Sequence, residues 1–165
     1  MPRTVRAAVA FAPNQPMQII DVGLRDPGPG EVLVRFIATG LCHSDLHVLD
    51  GSLDHPFPVV CGHEGIGEVV EVGPGVQGFA PGDRVVPFLV PDCGACPFCL
   101  SGRTNYCLEF ANRQDPALSP FSLDGVPLAR FMAIGSFAEM SVVAADQLTC
   151  VSRAAAPDLA CCIGC

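Results

Sequence analysis

Between residues 30 and 40, GEVLVRFIATG, successive side chains fall on two sides of an extended chain: Val32, Val34 and Phe36 on one, Leu33, Arg35 and Ile37 on the other. A period of two is the signature of a β-strand. The stretches TVRAAVAF (4–11), MQIIDVGL (17–24), GIGEVVEVG (65–73) and DRVVPFLV (83–90) carry the same short β-branched runs, and SFAEMSVVAADQLTCV (136–151) returns to them. Between the strands lie turn signals, above all the Pro-Gly pairs of PGVQGFAPGD (74–83). The segment CHSDLHVLDG (42–51) breaks the pattern and predicts one short helix, with Ser44 or Asp45 to cap it and Gly51 to end it. Residues 108–135 show no sustained period and are expected to form a long loop. A final helix is expected from Pro157 to Ile163. The predicted fold is therefore mainly β (α+β), with few short helices.

Composition narrows the picture. The chain has 165 residues, half of them apolar, which suits one domain of ordinary size, residues 1–165. With 9 Lys and Arg against 17 Asp and Glu, the net charge of -8 offers no basic face for a nucleic acid. No apolar run approaches the length of a membrane span, and the first residues lack an export signal, so a cytoplasmic protein is expected. In that compartment the ten cysteines point to metal binding or catalysis rather than to disulfides.

Four of them form the most specific motif. In CGACPFCLSGRTNYC, Cys93, Cys96 and Cys99 follow one another at intervals of three, and Cys107 comes eight later. Thiolates this close on a turn-rich loop suit a tetrahedral zinc with no open position, hence a structural site. An iron–sulfur cluster is the rival, but its usual pattern places the fourth cysteine four residues on and before a proline. Unliganded thiols are the remaining alternative.

Two further stretches hold potential ligands: GLCHSDLHVLDG (40–51) and VVCGHEGIGEVVEVG (59–73). Each alone reads as readily as hydrogen-bonded structure. Together with the cysteine loop they form an ordered set that resembles the N-terminal, catalytic half of the zinc-dependent medium-chain alcohol dehydrogenases. GHEGIGEVVEVGPGV is similar to that family's zinc signature, GLCHSD to the segment bearing its first ligand, and residues 92–108 to its structural zinc lobe. The resemblance runs from about Val5 to Cys165 and implies a GroES-like, partly open barrel.

What the resemblance implies about the site can be stated residue by residue. Cys42, His63 and Cys165, the last residue of CCIGC, become ligands of a catalytic zinc, with Glu64 beside it as a transient ligand. Asp45 orients His63. Ser44 and His47 become a relay for the alcohol proton, His47 through the cofactor ribose. His43 faces the cofactor pyrophosphate, and Leu53 and Leu89 line the alcohol pocket together with Ser44. Cys93, Cys96, Cys99 and Cys107 hold the structural zinc, giving two zinc ions per chain. Cys61, Cys150, Cys161 and Cys162 match no ligand position and are expected to be buried thiols.

The implied activity is oxidation of an alcohol to an aldehyde or ketone with hydride transfer to NAD or NADP, in a homodimer or homotetramer. The dinucleotide itself has no evident site. GPGVQG (73–78) spells a dinucleotide motif but runs into a Pro-Gly turn and a strand instead of a helix, so it reads as a β-turn. On this reading the family's Rossmann domain is expected to be absent, and the chain to be a fragment that is inactive alone. The competing expectation is a stand-alone zinc-binding or interaction module of GroES-like fold that does no catalysis.

Overall fold

A computed structural model describes residues 3–165. Alternating apolar positions build three long strands first, β1 (Arg3–Ala10), β2 (Gln18–Leu24) and β3 (Glu31–Ala38). Helix α1 (His43–Leu49) and the short β4 (Val59–Val60) lead into β5 (Ile66–Val72) and β6 (Arg84–Pro87). The middle of the chain carries α2 (Pro97–Leu100), α3 (Leu108–Arg113), β7 (Phe121–Leu123), β8 (Val126–Pro127) and β9 (Ala129–Arg130). Finally come β10 (Met140–Ala144), β11 (Leu148–Cys150) and α4 (Pro157–Ala160).

The strands form a six-stranded sheet of order β8-β7-β2-β1-β4-β9 and a five-stranded sheet of order β10-β3-β5-β6-β11. Every pairing is antiparallel except β4 with β9. Residues 137–139 stitch the two sheets together. Ala8 donates to the Phe137 carbonyl at 2.8 Å, Glu139 to Arg6 at 3.0 Å, and Phe36 to Glu139 at 3.0 Å. The result is a mainly β, nearly closed barrel. Inside it, Val5, Ala7 and Val9 of β1 meet Val22 and Leu24 of β2, Leu33 of β3 and Val142 of β10. Each large aliphatic or aromatic side chain shut away here contributes about 1.5–3 kcal/mol.

The period of two in β3 has a physical outcome. Leu33 enters the barrel, while Val32, Val34 and Phe36 join Val69, Val85 and Val143 in a second core on the other face. Both faces of β3 are covered over its first half, so the strand reads as nearly continuous apolar residues until Arg35.

Three expectations need correction. Residues 108–135 are not one loop: they hold α3, β7, β8 and β9. Asp124 and Gly125, at φ of 51° and 81°, make the tight turn between β7 and β8, as an Asp-Gly pair does in a type I′ hairpin. The last helix covers Pro157–Ala160 rather than extending to Ile163, and Cys161–Gly164 continue as turns. Helix α1 begins at His43 after Cys42, with neither Ser44 nor Asp45 capping it through a side chain. Gly51, at φ of 80°, follows the helix end as expected, and GPGVQG forms a turn, with Val76 donating to the Gly73 carbonyl at 3.3 Å. Among the described residues no helix is long and apolar enough to cross a membrane.

Candidate metal centres

The loop from Cys93 to Cys107 folds back on itself through short local elements. Pro97 opens α2 in the first-turn position where its missing N–H costs nothing, and Cys96 and Cys99 bracket that turn. Backbone N–H groups of Ala95 and Cys96 donate to Cys93 Sγ at 3.5 and 3.3 Å, and that of Cys93 to Cys107 Sγ at 3.4 Å. The four sulfurs all lie within 4.8 Å of one another, with Cys93 to Cys99 at 3.9 Å and Cys96 to Cys99 at 3.5 Å. Four thiolates at about 2.3 Å from a tetrahedral zinc stand about 3.8 Å apart, so this group fits that ion.

The protonation pattern also favours a cation. Backbone N–H groups of Cys99 and Leu108 pull Cys96 down to about 6. Desolvation and the Cys96 sulfur push Cys99 up to about 12. Burial raises Cys107, but the N–H groups of Cys93 and Glu109 outweigh it and leave it lowered. Adjacent sulfurs that cannot all ionise together become able to do so around a divalent ion.

The second group draws on three distant parts of the chain. Cys42 sits at the start of α1, His63 and Glu64 lie between β4 and β5, and Cys165 follows α4. One ligand atom from each comes within 4.8 Å of the others, and the Cys42 and Cys165 sulfurs are 3.9 Å apart, again the separation a shared zinc requires. His63 is fully enclosed, its ring edge-on to Phe131 at 5.2 Å. Its Nδ1 faces Asp45 Oδ2 at 3.3 Å, and Asp45 Oδ1 accepts from the Gly62 backbone at 2.8 Å. Among the described residues neither ring nitrogen has a hydrogen bond, but Nδ1 has a carboxylate beside it whereas Nε2 is buried with no partner, a lone pair that a metal would satisfy. Burial lowers the His63 pKa, but Asp45 and then Cys42 more than offset it, so the net direction is upward. The Ser44 backbone N–H lowers Cys42, whereas desolvation, then Cys42 and Glu64, push Cys165 up to about 11.

Close packing puts these residues in place. A Cβ on Gly40 would stand 1.9 Å from Glu64 Oε2, so the glycine leaves room for the carboxylate where it stands. The Glu64 carbonyl accepts from Thr39 Oγ1 at 2.6 Å and Ser136 Oγ at 2.7 Å. The Cys165 tail is anchored as well. Leu89 donates its backbone N–H to the Gly164 carbonyl at 3.2 Å, and a Cβ on Gly164 would stand 2.0 Å from the Pro87 carbonyl. Cys161 packs into a core with Ile66, Val86 and Ala160.

The remaining candidate residues gather around this second group to differing degrees. Ser44 Oγ is 3.6 Å from Cys42 Sγ. His47 is half exposed, its Nδ1 bonded to Ser52 Oγ at 2.8 Å, and its ring lies 4.8 Å from that of His43. Leu53 is exposed, and Leu89 is joined to the Cys165 tail by its backbone N–H. The expectation for the other four cysteines holds only for Cys61 and Cys161. Cys61 is buried, with its thiol pushed up to about 12 by burial and then by Asp45. Cys150, on the edge strand β11, and Cys162, past the end of α4, are exposed instead. Ser52 and Thr39, which position the site, carry no motif signal; Gly40 and Gly164 fall inside GLCHSD and CCIGC, but the ligand spacing there gives them no role of their own.

The comparisons agree with this geometry. Residues 28–153 match the family model of the alcohol dehydrogenase GroES-like domain. The S-(hydroxymethyl)glutathione dehydrogenase of Haemophilus influenzae is 46% identical over 166 residues, covering 97% of this chain and 44% of that protein. Its namesake from Escherichia coli is 44% identical over 168 residues, covering 97% and 45%. The chain thus spans less than half the length of these curated relatives. Among solved structures, an alcohol dehydrogenase zinc-binding domain protein from Burkholderia ambifaria superposes with a TM-score of 0.91 at 38% identity, covering 100% of this chain and 46% of that one. Benzyl alcohol dehydrogenase from Acinetobacter calcoaceticus does so with a TM-score of 0.85 at 31% identity, covering 99% and 45%. With the barrel, the two ligand clusters and these matches in agreement, the chain belongs to the GroES-like domain family of the zinc-dependent medium-chain alcohol dehydrogenases.

Proposed function

We propose that the chain supplies the metal-binding part of an oxidoreductase that converts an alcohol to an aldehyde or ketone with hydride transfer to NAD or NADP. The observation that carries this reading is the meeting of Cys42, His63 and Cys165, with the buried Nε2 of His63 left without a partner. Four thiolates on one short loop make a closed, structural site, as at Cys93 to Cys107. Two thiolates and one imidazole leave a fourth position, which Glu64 can fill and then yield to substrate. That open position favours catalysis over a purely structural module.

Zinc held there supplies Lewis acidity that renders an alcohol hydroxyl acidic near neutral pH. The chain's own residues then manage the proton. Ser44, beside Cys42, would take it while releasing its own hydroxyl proton, which would pass by way of the cofactor ribose to His47 and from that exposed ring to solvent, Nδ1 being held by Ser52. His43 flanks His47 on the side assigned to the dinucleotide, and Leu53 and Leu89 offer apolar contact to the substrate's tail. The chain spans less than half of its relatives' length, and the hydride acceptor is proposed to bind in the part it does not span, so the chain alone is expected to be inactive. The relatives' names put thiol adducts of formaldehyde and benzylic alcohols first among the substrates to try.

The test joins this chain to the dinucleotide-binding part of the Haemophilus influenzae relative and follows NADH formation with S-(hydroxymethyl)glutathione and benzyl alcohol. Turnover by the joined protein, lost in Cys165→Ser with the fold and the four-cysteine zinc retained, supports the reading. Undiminished turnover in Cys165→Ser, or none in a joined protein that holds two zinc ions and binds NAD, overturns it.

A further inference from the structure

Helix α1 carries two of the chain's four histidines, His43 and His47, one turn apart on one side. The opposite side of the helix is fixed by packing, with Val48 and Asp45 both buried. Held in this way, the two imidazoles stand toward solvent with ring centres 4.8 Å apart and ring planes at 52° to each other. Two imidazoles that share one metal ion at about 2.0–2.1 Å have ring centres roughly 4.5–5.2 Å apart, for bond angles between those of an octahedron and a tetrahedron. The observed spacing falls inside that range.

A small network decides which nitrogen of His47 offers its lone pair. The Ser52 backbone N–H and hydroxyl both donate to Asp50 Oδ1, at 2.8 and 2.6 Å. These bonds, the side-chain one first, hold the Asp50 carboxyl below its ordinary range, so it acts as an acceptor. The single proton of Ser52 Oγ goes to this near carboxylate rather than to the His47 carbonyl at 3.5 Å. The 2.8 Å contact between Ser52 Oγ and His47 Nδ1 then requires Nδ1 to donate, which leaves Nε2 with the lone pair. Histidines that bind metals are oriented in this manner, by a partner that fixes the N–H on the other ring nitrogen. Asp50 also places a carboxylate oxygen 3.9 Å from His47 Nδ1, a negative charge beside the pair that favours a cation there.

We propose that His43 and His47 bind a third metal ion, a divalent transition metal such as nickel or zinc, through Nε2 of His47 and one ring nitrogen of His43, with water in its remaining positions. Imidazole suits these ions, whereas magnesium and calcium prefer oxygen ligands. The site uses none of the ligands of either cysteine cluster. An ion there occupies the lone pair through which, on the reading proposed above, His47 receives the alcohol proton. The binding itself does not rest on that reading.

Calorimetric titration of the zinc-loaded, desalted chain with nickel ions, and with magnesium ions for comparison, tests this. One further nickel ion is expected to bind saturably, and magnesium to give no saturable response. His43→Gln and His47→Gln, both at exposed positions, should each abolish the uptake of that ion while the zinc content stays as in the wild type. Ring-nitrogen NMR shifts, recorded above the imidazole titration range, should place the His47 proton on Nδ1. Absence of saturable nickel uptake, or uptake unchanged in either variant, overturns the site. So does uptake that is lost only when the exposed thiols of Cys150 and Cys162 are blocked, or a His47 proton found on Nε2.

Discussion

Oδ2 of Asp45 lies 3.3 Å from Nδ1 of His63, and both side chains are buried. Asp45 is held in turn by the Gly62 amide, one residue before the histidine it faces. A carboxylate in that place keeps the proton on Nδ1, so that Nε2 offers its lone pair to a metal. Asp45→Asn keeps the shape but loses the charge. Zinc affinity at the Cys42, His63, Cys165 group is expected to fall by roughly 10–100-fold, with the four-cysteine zinc unaffected. Chelator competition with metal quantification reads both sites in one experiment, and equal loss from the two would refute the assignment.

The tail that delivers Cys165 supports a second prediction. Gly164 lies so close to the Pro87 carbonyl that an added Cβ would stand 2.0 Å from it, and the obstacle is backbone rather than a side chain able to swing away. Gly164→Ala should therefore lift the tail from β6 and carry Cys165 out of reach of Cys42 and His63. The barrel core is untouched, so the midpoint of unfolding should move little in the chelated protein. Zinc content measured by mass spectrometry should drop from two ions per chain to one, matching Cys165→Ser. Retention of both ions by Gly164→Ala would show that the tail tolerates displacement.

How much of this was legible in the sequence depended on the range of the interaction. Strands β1, β2, β3 and β5 follow from their short β-branched runs: β1 and β2 bury largely alternate residues against the barrel core, while β3 is covered on both faces over its first half. The β7–β8 hairpin was legible in principle from Asp124-Gly125, but flanks of three and two residues are too short to display a period. The Cys ligand stretches carried motif spacing and stood out, since a metal demands its donors whatever surrounds them. The duty of Gly164 did not stand out, and that of Asp45 came through the family resemblance rather than from its own stretch of chain. Asp45 looks like a helix cap, and only the approach of the β4–β5 connection, 17 residues on, turns it inward. Cys161 and Cys162 are neighbours with opposite burial, decided by where the single turn of α4 stops.

Arg25 and Glu31 make a third prediction, concerning acid stability. Burial alone would raise the Glu31 pKa, but hydrogen bonds from Arg25 and Gly28 outweigh it and leave it below its ordinary value of 4.5. A carboxylate whose pKa is depressed by folding contributes stability above its unfolded pKa and loses it as pH falls through the folded one. Glu31→Gln should thus be less stable than wild type at pH 7. That difference should narrow steadily as pH falls below 4.5. Urea unfolding in chloride at several pH values checks it, and a pH-independent difference would assign the loss to packing instead.

The four-cysteine lobe supports the last prediction, because it has almost nothing else to hold it. Neither α2 nor α3 buries a residue, and Leu100, Tyr106 and Leu108 are 75%, 62% and 53% exposed. Of the four sulfur-bearing residues only Cys107 is buried in the folded chain. The barrel, by contrast, encloses Val9, Leu24, Leu33 and Phe121 almost completely. Folding of the lobe is therefore coupled to metal binding, while folding of the barrel is not. Cys99→Ser should lose one zinc and bring amide exchange in residues 93–107 close to the unfolded rate, with protection in β1, β3 and β5 preserved. Limited proteolysis should then cut first near Gly102, an exposed turn residue. If the exchange rates of β1 and β3 rose together with those of the lobe, the two parts would share one cooperative unit, and the zinc would be supporting the barrel itself.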